Sequence, residues 1–318
     1  MSTIAVTGGA GFVGTNLVRA LLSEKFKVVV VDDFSTGLRS NVEGLGCEVR
    51  EASIVNELEI QNAFIGCDYI FHLAARGSVP RSIRNPRATH EVNTTGTMNV
   101  LEYARKNRTP LSFSSSSSVY GTNVQLPKNE KMWTGPMTPY AASKLSGEAL
   151  VQSYALSYNI PAITYRFFNI FGPWQRPDHD YAAVIPKWIW KSMKNEKVEV
   201  YGSGEQSRDF TYVDDVVRVL ITGMKKNISH PEPLNLAFGE RITLNEVLNY
   251  MKERKPDLQV EYRPERSGDV KNSQNNPKEL TKVFPDVKPR EFRTALFEVW
   301  DWLEKNAQKV LNGPKVSD

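Results

Sequence analysis

Cysteine and histidine are scarce in this chain: two cysteines and four histidines in 318 residues. Cys47 and Cys67 have neither a metal nor a redox spacing, and His72, His90, His179 and His230 lie far apart, so the reading contains no metal site. Long apolar runs are also missing. The longest pieces, such as Val28–Val31, suit buried strands and are too short to span a bilayer. Excess charge of one sign is absent too. The formal net charge is +4, with Lys and Arg interleaved among acids, and even the densest stretch, Lys187–Lys197, reads as a solvated helix face. Nucleic-acid binding and membrane insertion are therefore excluded from the expectation. The chain opens with Met-Ser-Thr-Ile-Ala-Val, with no charged n-region or apolar h-region, so a cytoplasmic location is expected.

In the first half, short Ile-, Val- and Phe-rich runs alternate with helical patterns. Thr3–Thr7, Lys27–Val31, Tyr69–Leu73, Leu111–Ser115 and Pro161–Arg166 read as buried strands. Gly11–Ser23, Ala88–Lys106 and Pro139–Tyr158 read as helices between them. This alternation predicts an α/β fold with a Rossmann-type, doubly wound parallel sheet. After Arg166 the texture becomes irregular. Residues 1–167 are expected to form a cofactor domain and 168–318 a smaller α/β substrate domain, with segments such as Asp214–Lys225 free to pack back on the first.

Gly8-Gly9-Ala10-Gly11-Phe12-Val13-Gly14 lies between the first strand and the first helix. Glycines here let the backbone turn tightly and approach a pyrophosphate, which the helix N-terminus then faces with free N–H groups. Asp32, at the end of the second strand, can accept hydrogen bonds from both ribose hydroxyls and repels a 2′-phosphate. The cofactor expected is NAD, although Arg39 is near enough in sequence to keep NADP in view. Tyr140-Ala-Ala-Ser-Lys144 puts a phenol and an ammonium one helical turn apart. A phenol titrates near pH 10; the lysine and a cationic nicotinamide ring are expected to lower that value and make Tyr140 a base. Ser116 or Ser118, at the C-terminal end of a strand, can hydrogen-bond the substrate oxygen that Tyr140 deprotonates.

Together these features resemble the extended short-chain dehydrogenase/reductases, in particular the sugar-nucleotide epimerases and dehydratases. The likeness includes Asp32-Asp33-Phe34-Ser35-Thr36-Gly37, His72-Leu73-Ala74-Ala75, Ser118-Val119-Tyr120-Gly121, Arg166-Phe167-Phe168-Asn169, Arg208-Asp209-Phe210 and Arg266-Ser267-Gly268-Asp269. It implies that Asp33, Ser35, Thr36, Gly37, Ile54, Leu73, Ala74, Ala75 and Phe167 join Gly8, Gly11, Phe12, Val13, Gly14, Asp32, Tyr140 and Lys144 around NAD. It further implies Asn169, Arg208 and Arg266 on a diphosphate, Asp269 on a uridine ribose and Tyr201 beside the base. Gly77-Ser78-Val79-Pro80-Arg81-Ser82, the serines up to Ser118, the stretch from Tyr181 to Trp188 and Gly268–Gln274 are most similar to UDP-N-acetylglucosamine 4-epimerases. In those enzymes small residues matching Gly77, Ala183 and Ser273 leave room for an acetamide, with Ser78, Ser117 and Val184 also beside the substrate. A homodimer, through the Tyr-x-x-x-Lys helix and the one before it, is implied by the same analogy.

Three departures from the family stand out. Ser53 stands where an Asp usually holds adenine. Arg76 replaces a smaller or uncharged residue. Ser117 and Ser118 replace the Asp-Glu pair with which 4,6-dehydratases eliminate water. The expected reaction is 4-epimerisation through a 4-keto sugar. Its rival is a 5,6-dehydration of the kind found in tunicamycin biosynthesis, and UDP-glucose or UDP-glucuronate epimerisation is a lesser option.

Overall fold

The computed structural model describes residues 2–178, 182–265 and 272–312, with side chains to residue 307. Six strands and six helices build the first part: β1 (Thr3–Thr7), α1 (Phe12–Ser23), β2 (Lys27–Asp32), β3 (Glu48–Glu51), α2 (Glu57–Ala63), β4 (Tyr69–His72), α3 (Val79–Arg84), α4 (Pro86–His90), α5 (Gly96–Asn107), β5 (Leu111–Ser116), α6 (Pro139–Tyr158) and β6 (Ala162–Phe167). A π-helical turn, Glu91–Thr95, joins α4 to α5, so the helix expected over Ala88–Lys106 is continuous but locally widened and underwound.

The strands form one seven-stranded sheet in the order Leu234–Leu236, β6, β5, β4, β1, β2, β3, and every neighbouring pair is parallel. This is the doubly wound Rossmann arrangement. Period-two alternation sends Ile4, Val6, Val28 and Val30 to one face, against α1, and Ala5, Val29 and Val31 to the other, against α2, α5 and α6. Both faces are covered, so the strands are apolar on both sides. Each large side chain buried this way contributes roughly 1.5–3 kcal/mol.

Residues beyond 167 do not all keep to a separate body. The helix Val213–Lys225 lays Val216, Val219, Leu220 and Met224 in the same core as Ile4 and Leu17, and Leu234, Leu236, Leu280 and Phe284 join them. A second core, with Trp188, Val200, Phe210, Val247, Phe292 and Leu296, holds the helices Val184–Met193, Leu244–Arg254 and Phe292–Asn312 around short paired strands.

One charged pair lies deep in the first part. Glu148 on α6 and Arg166 on β6 are 2 % and 5 % exposed and form a two-pronged ion pair at 2.8 and 2.9 Å. Ser115 donates to the same carboxylate at 2.5 Å, and Arg166 donates to the Tyr120 hydroxyl at 2.9 Å. Removing one partner strands the other charge in a dry site. Glu148→Ala is expected to lower unfolding free energy by about 3–5 kcal/mol in urea titrations, and the double change Glu148→Leu, Arg166→Met by clearly less.

Candidate active site

The strand order reverses between β1 and β4, and ligands of such sheets bind in the crevice at that switch point. A cleft of about 740 Å³ opens there. Gly8, Gly11, Phe12, Val13 and Gly14 line it from the β1–α1 turn; Asp32, Asp33, Ser35, Thr36 and Gly37 from the end of β2 onward; Ile54 from beyond β3; Leu73, Ala74 and Ala75 from beyond β4. Tyr140 and Lys144 of α6, Phe167 of β6 and Ser116 of β5 close the far end.

The chain's own packing demands two of the glycines. A Cβ on Gly14 would stand 2.1 Å from the Gly8 carbonyl oxygen, and Gly8 itself adopts φ +68° with Ala74 N only 2.8 Å from where its Cβ would be. At the Asp32 end the carboxylate is pinned by the N–H groups of Ala10 and Phe34, both at 2.9 Å, and burial raises its pKa despite those bonds. A Cβ on Gly37 would press on both Asp32 oxygens at 2.9 Å. Asp33 accepts from Ser35 N and Oγ, and the departing residue Ser53 places its Oγ 3.4 Å from the other Asp33 oxygen. Arg39 pairs with Glu51 and lies over the Phe34 ring. A glycine turn beneath a helix N-terminus, with a fixed carboxylate at the adenosine end, fits an unphosphorylated dinucleotide.

Buried His72 holds the next wall in place. Its Nε2–H donates to Thr97 Oγ1 at 3.0 Å, because that hydroxyl already donates to Asn93 O; its Nδ1 accepts from Thr7 Oγ1 at 2.8 Å. Thr7 Oγ1 in turn accepts from Leu73 N and Ala74 N, each at 3.1 Å. Burial first, and then the nearby Lys144 charge, press the imidazole pKa down to about 3, so it stays neutral. The histidine is a brace for the loop over the glycine turn.

Thr138 caps α6, accepting from Ala141 N at 3.2 Å, and Pro139 takes the first helical position. One face of this helix then meets the serines of β5 on three successive turns. Tyr140 is hydrogen-bonded to the Ser116 side chain. Lys144 Nζ donates to Ser114 O at 2.8 Å, and Glu148 accepts from Ser115. Burial lowers the Lys144 pKa to about 8, and the Glu148 charge works against that fall. The Tyr140 phenol differs from expectation. Its pKa is raised, because burial outweighs the Ser116 hydrogen bond, and the Lys144 ammonium is turned to the Ser114 carbonyl. The protein alone therefore supplies no net lowering; of the two cations invoked above, the nicotinamide ring is the one left to oppose burial.

A second cavity of about 440 Å³ adjoins the cleft and shares Ser78, Ile170 and Ala183 with it. It is lined by Asn169, Val184, Tyr201 and Arg208, all expected at the substrate, together with Trp188, Lys191 and Gln206. Gly77 lines the first cavity, and nothing lies within 4 Å of where its Cβ would be. Ser78 holds φ +93°, a strained value for a non-glycine residue, of the sort that clusters at ligand sites. Ser117, Ser118 and Ser273 line neither cavity. Ser118 Oγ is buried without a partner, and Ser273 Oγ sits 3.4 Å from Asn169 Nδ2. Arg266, Asp269 and the start of the stretch from Tyr181 lie outside the described residues. Arg81, Trp174, Gln175 and Arg176 also line the cleft; Arg81 lies inside a quoted motif, and the others in the irregular stretch after Arg166.

Comparison with known proteins settles the class. Residues 4–237 match the family described as the NAD dependent epimerase/dehydratase family. The chain belongs to that family. It is an NAD-dependent nucleotide-sugar epimerase or dehydratase. It is 37 % identical to UDP-glucuronic acid decarboxylase 1 of Xenopus tropicalis over 72 % of this chain, a match spanning 55 % of that relative's length. A UDP-N-acetylglucosamine 4-epimerase from Methanobrevibacter ruminantium M1, solved with UDP-N-acetylmuramic acid, superposes with TM-score 0.90 at 33 % identity, covering 96 % of this chain and 99 % of that one. An NAD-dependent NDP-hexosamine 5,6-dehydratase involved in tunicamycin biosynthesis superposes at 0.85 with 27 % identity, covering 96 % and 98 %. Among the described residues no helix is long and apolar enough to cross a membrane, and no three His, Cys, Asp or Glu side chains gather as metal ligands.

Two outcomes follow for this epimerase/dehydratase. Gly14→Ala forces the glycine turn apart, and NAD affinity measured by fluorescence titration should fall by at least about tenfold, since a single lost or distorted diphosphate contact is worth that much. As pH rises through about 8, Lys144 gives up its proton. Turnover that relies on its charge is expected to decline above that pH, approaching about tenfold per unit, and a Lys144→Met variant should be slow without that alkaline limb.

Proposed function

We propose that this enzyme interconverts UDP-N-acetylglucosamine and UDP-N-acetylgalactosamine through a 4-keto sugar. Tyr140 accepts the proton of the C4 hydroxyl while Ser116 holds the same oxygen by a hydrogen bond. NAD, held by the glycine turn, Asp32 and Lys144, would supply the hydride acceptor and donor for C4. Lys144, held by Ser114 O, brings its positive charge to the same end of the cleft as Tyr140. Between the two hydride transfers the keto sugar turns about its link to the diphosphate, which Arg208 and Asn169 hold in the adjoining cavity. Open space at Gly77 and a methyl-sized wall at Ala183 favour that turn of an acetamido sugar. A homodimer through α5 and α6 suits the exposed Met98, Leu156 and Tyr158.

The observation that carries epimerisation over elimination is where carboxylates are missing. Among the described residues lining the two cavities, the carboxylates are Asp32 and Asp33 at the end of β2, and Glu199, which pairs with Lys191 at 2.8 Å. Asp32 and Asp33 follow from a strand three places from β5 in the sheet order, Glu199 lies on Val198–Tyr201 outside that sheet, and Ser117 and Ser118 stand where a dehydratase keeps its acid and base. Epimerisation needs no second base; loss of the C5 proton does. The UDP-N-acetylmuramic acid complex of the Methanobrevibacter epimerase supports UDP as the nucleotide. The 5,6-dehydratase likeness, with the unpartnered Ser118 hydroxyl, supports elimination as the second reading.

Proton NMR of UDP-N-acetylglucosamine incubated with the enzyme separates them. A growing UDP-N-acetylgalactosamine anomeric signal is expected; vinyl signals with loss of the C5 proton would replace the first reading by the second. Tyr140→Phe should cost roughly 10²–10⁴ in turnover with NAD binding kept. Ser273→Tyr should raise the KM for N-acetylated sugars by about tenfold or more relative to UDP-glucose, by filling the space an acetamide needs.

A further inference from the structure

Three arginines line the catalytic end of the cleft, and their surroundings differ. Arg176 is paired with Asp178, Nε to Oδ1 at 2.9 Å. Arg76 and Arg81 are partly buried, their Nε atoms are shut off from solvent, and neither Nε has a hydrogen-bond partner. No ion pair forms at either guanidinium among the described residues, and the only lining carboxylates, Asp32 and Asp33, belong to the opposite end. Leaving buried cationic donors unsatisfied is costly, so such groups are kept where a ligand completes them.

The position of Arg76 is fixed with care. Asn93, on the π-helical turn and 2 % exposed, accepts from Arg76 N at 2.7 Å and donates to Arg76 O at 3.3 Å. The same amide donates to Ser143 Oγ at 2.9 Å, and Ser143 donates to Tyr140 O at 2.8 Å. The backbone of Arg76 is thereby tied to that of the catalytic tyrosine. Arg81 follows on α3, which packs on α6, just after strained Ser78 where the two cavities meet. On the reading proposed above, the glycine turn and α1 take the cofactor's diphosphate and the Arg208 cavity takes the substrate's. What remains within reach of the pair is the sugar ring.

We propose that Arg76 and Arg81 form an anion subsite for a carboxylate carried by the sugar, making a carboxylated N-acetylhexosamine nucleotide the preferred substrate. This rests on the UDP-sugar reading above and narrows it. Guanidinium groups suit a carboxylate through paired, charge-assisted hydrogen bonds. The carboxylate can be a uronate at C6 or an ether-linked acid at C3, and both present the same group.

The test is calorimetric binding to the NAD-loaded full chain, beside turnover, with UDP-N-acetylglucosamine, UDP-N-acetylglucosaminuronate and UDP-N-acetylmuramate. One of the two acids is expected to bind at least about tenfold more tightly than the neutral sugar. Arg76→Leu and Arg81→Leu should each shrink that preference by about tenfold, with melting temperature and NAD affinity showing an intact fold. Equal or weaker binding of both acids overturns the subsite, even if UDP-N-acetylglucosamine is epimerised. A preference untouched by either variant, or variants that lose NAD instead of the acid, also overturns it. Arginine-dependent binding of an acid without any C4 epimerisation would uphold the subsite and remove the epimerase reading.

Discussion

The site depends on how α6 is locked to β5. Tyr140, Lys144 and Glu148 project from successive turns of one helical face and meet Ser116, Ser114 and Ser115 in turn. Close approach is possible because position 147 is glycine; a Cβ there would fall 2.6 Å from the Phe113 ring. Glu148 continues into Arg166 on β6 and, through Tyr120, into Asn235 on the edge strand Leu234–Leu236. A buried ion pair on one side and a hydrogen-bonded lysine on the other leave the helix little freedom to slide. The tyrosine hydroxyl is thus positioned by the same contacts that hold the sheet to its helical layer.

That rigidity has an electrostatic consequence. The environment that positions Tyr140 and Lys144 also strips them of water, so the phenol resists ionising and the ammonium loses its proton more readily than usual. Both shifts oppose a proton-abstracting role, and Ser116 and Glu148 each counter one of them. The acid–base pair is therefore poised for a cationic ring at the cleft, which couples deprotonation of the sugar to the presence of oxidised cofactor.

Much of this was legible in the residues. Apolar runs such as Val28–Val31 can only be strands buried on both faces, and a glycine turn after the first of them localises a dinucleotide. Other features lay beyond pattern. β3, Glu48-Val-Arg-Glu51, is polar and partly exposed, so it carries no strand periodicity. The return of Val213–Lys225 and Leu234–Leu236 to the first core is a matter of long-range packing, and the π-helical turn at Asn93 has no signature in sequence. Arg76 stood out as a departure and Arg81 sat within a recognised motif, yet only the structure reveals that neither Nε meets a partner. The raised pKa of the Tyr140 phenol is not legible in sequence, because a nearby lysine is visible there and the depth of burial is not.

Isotope tracing tests the central claim, hydride removal from C4 beside Tyr140. With UDP-N-acetylglucosamine deuterated at C4, deuterium is expected to stay at C4 in both epimers, with a primary isotope effect on turnover. Deuterium exchanged into solvent, or lost from C4, would contradict it.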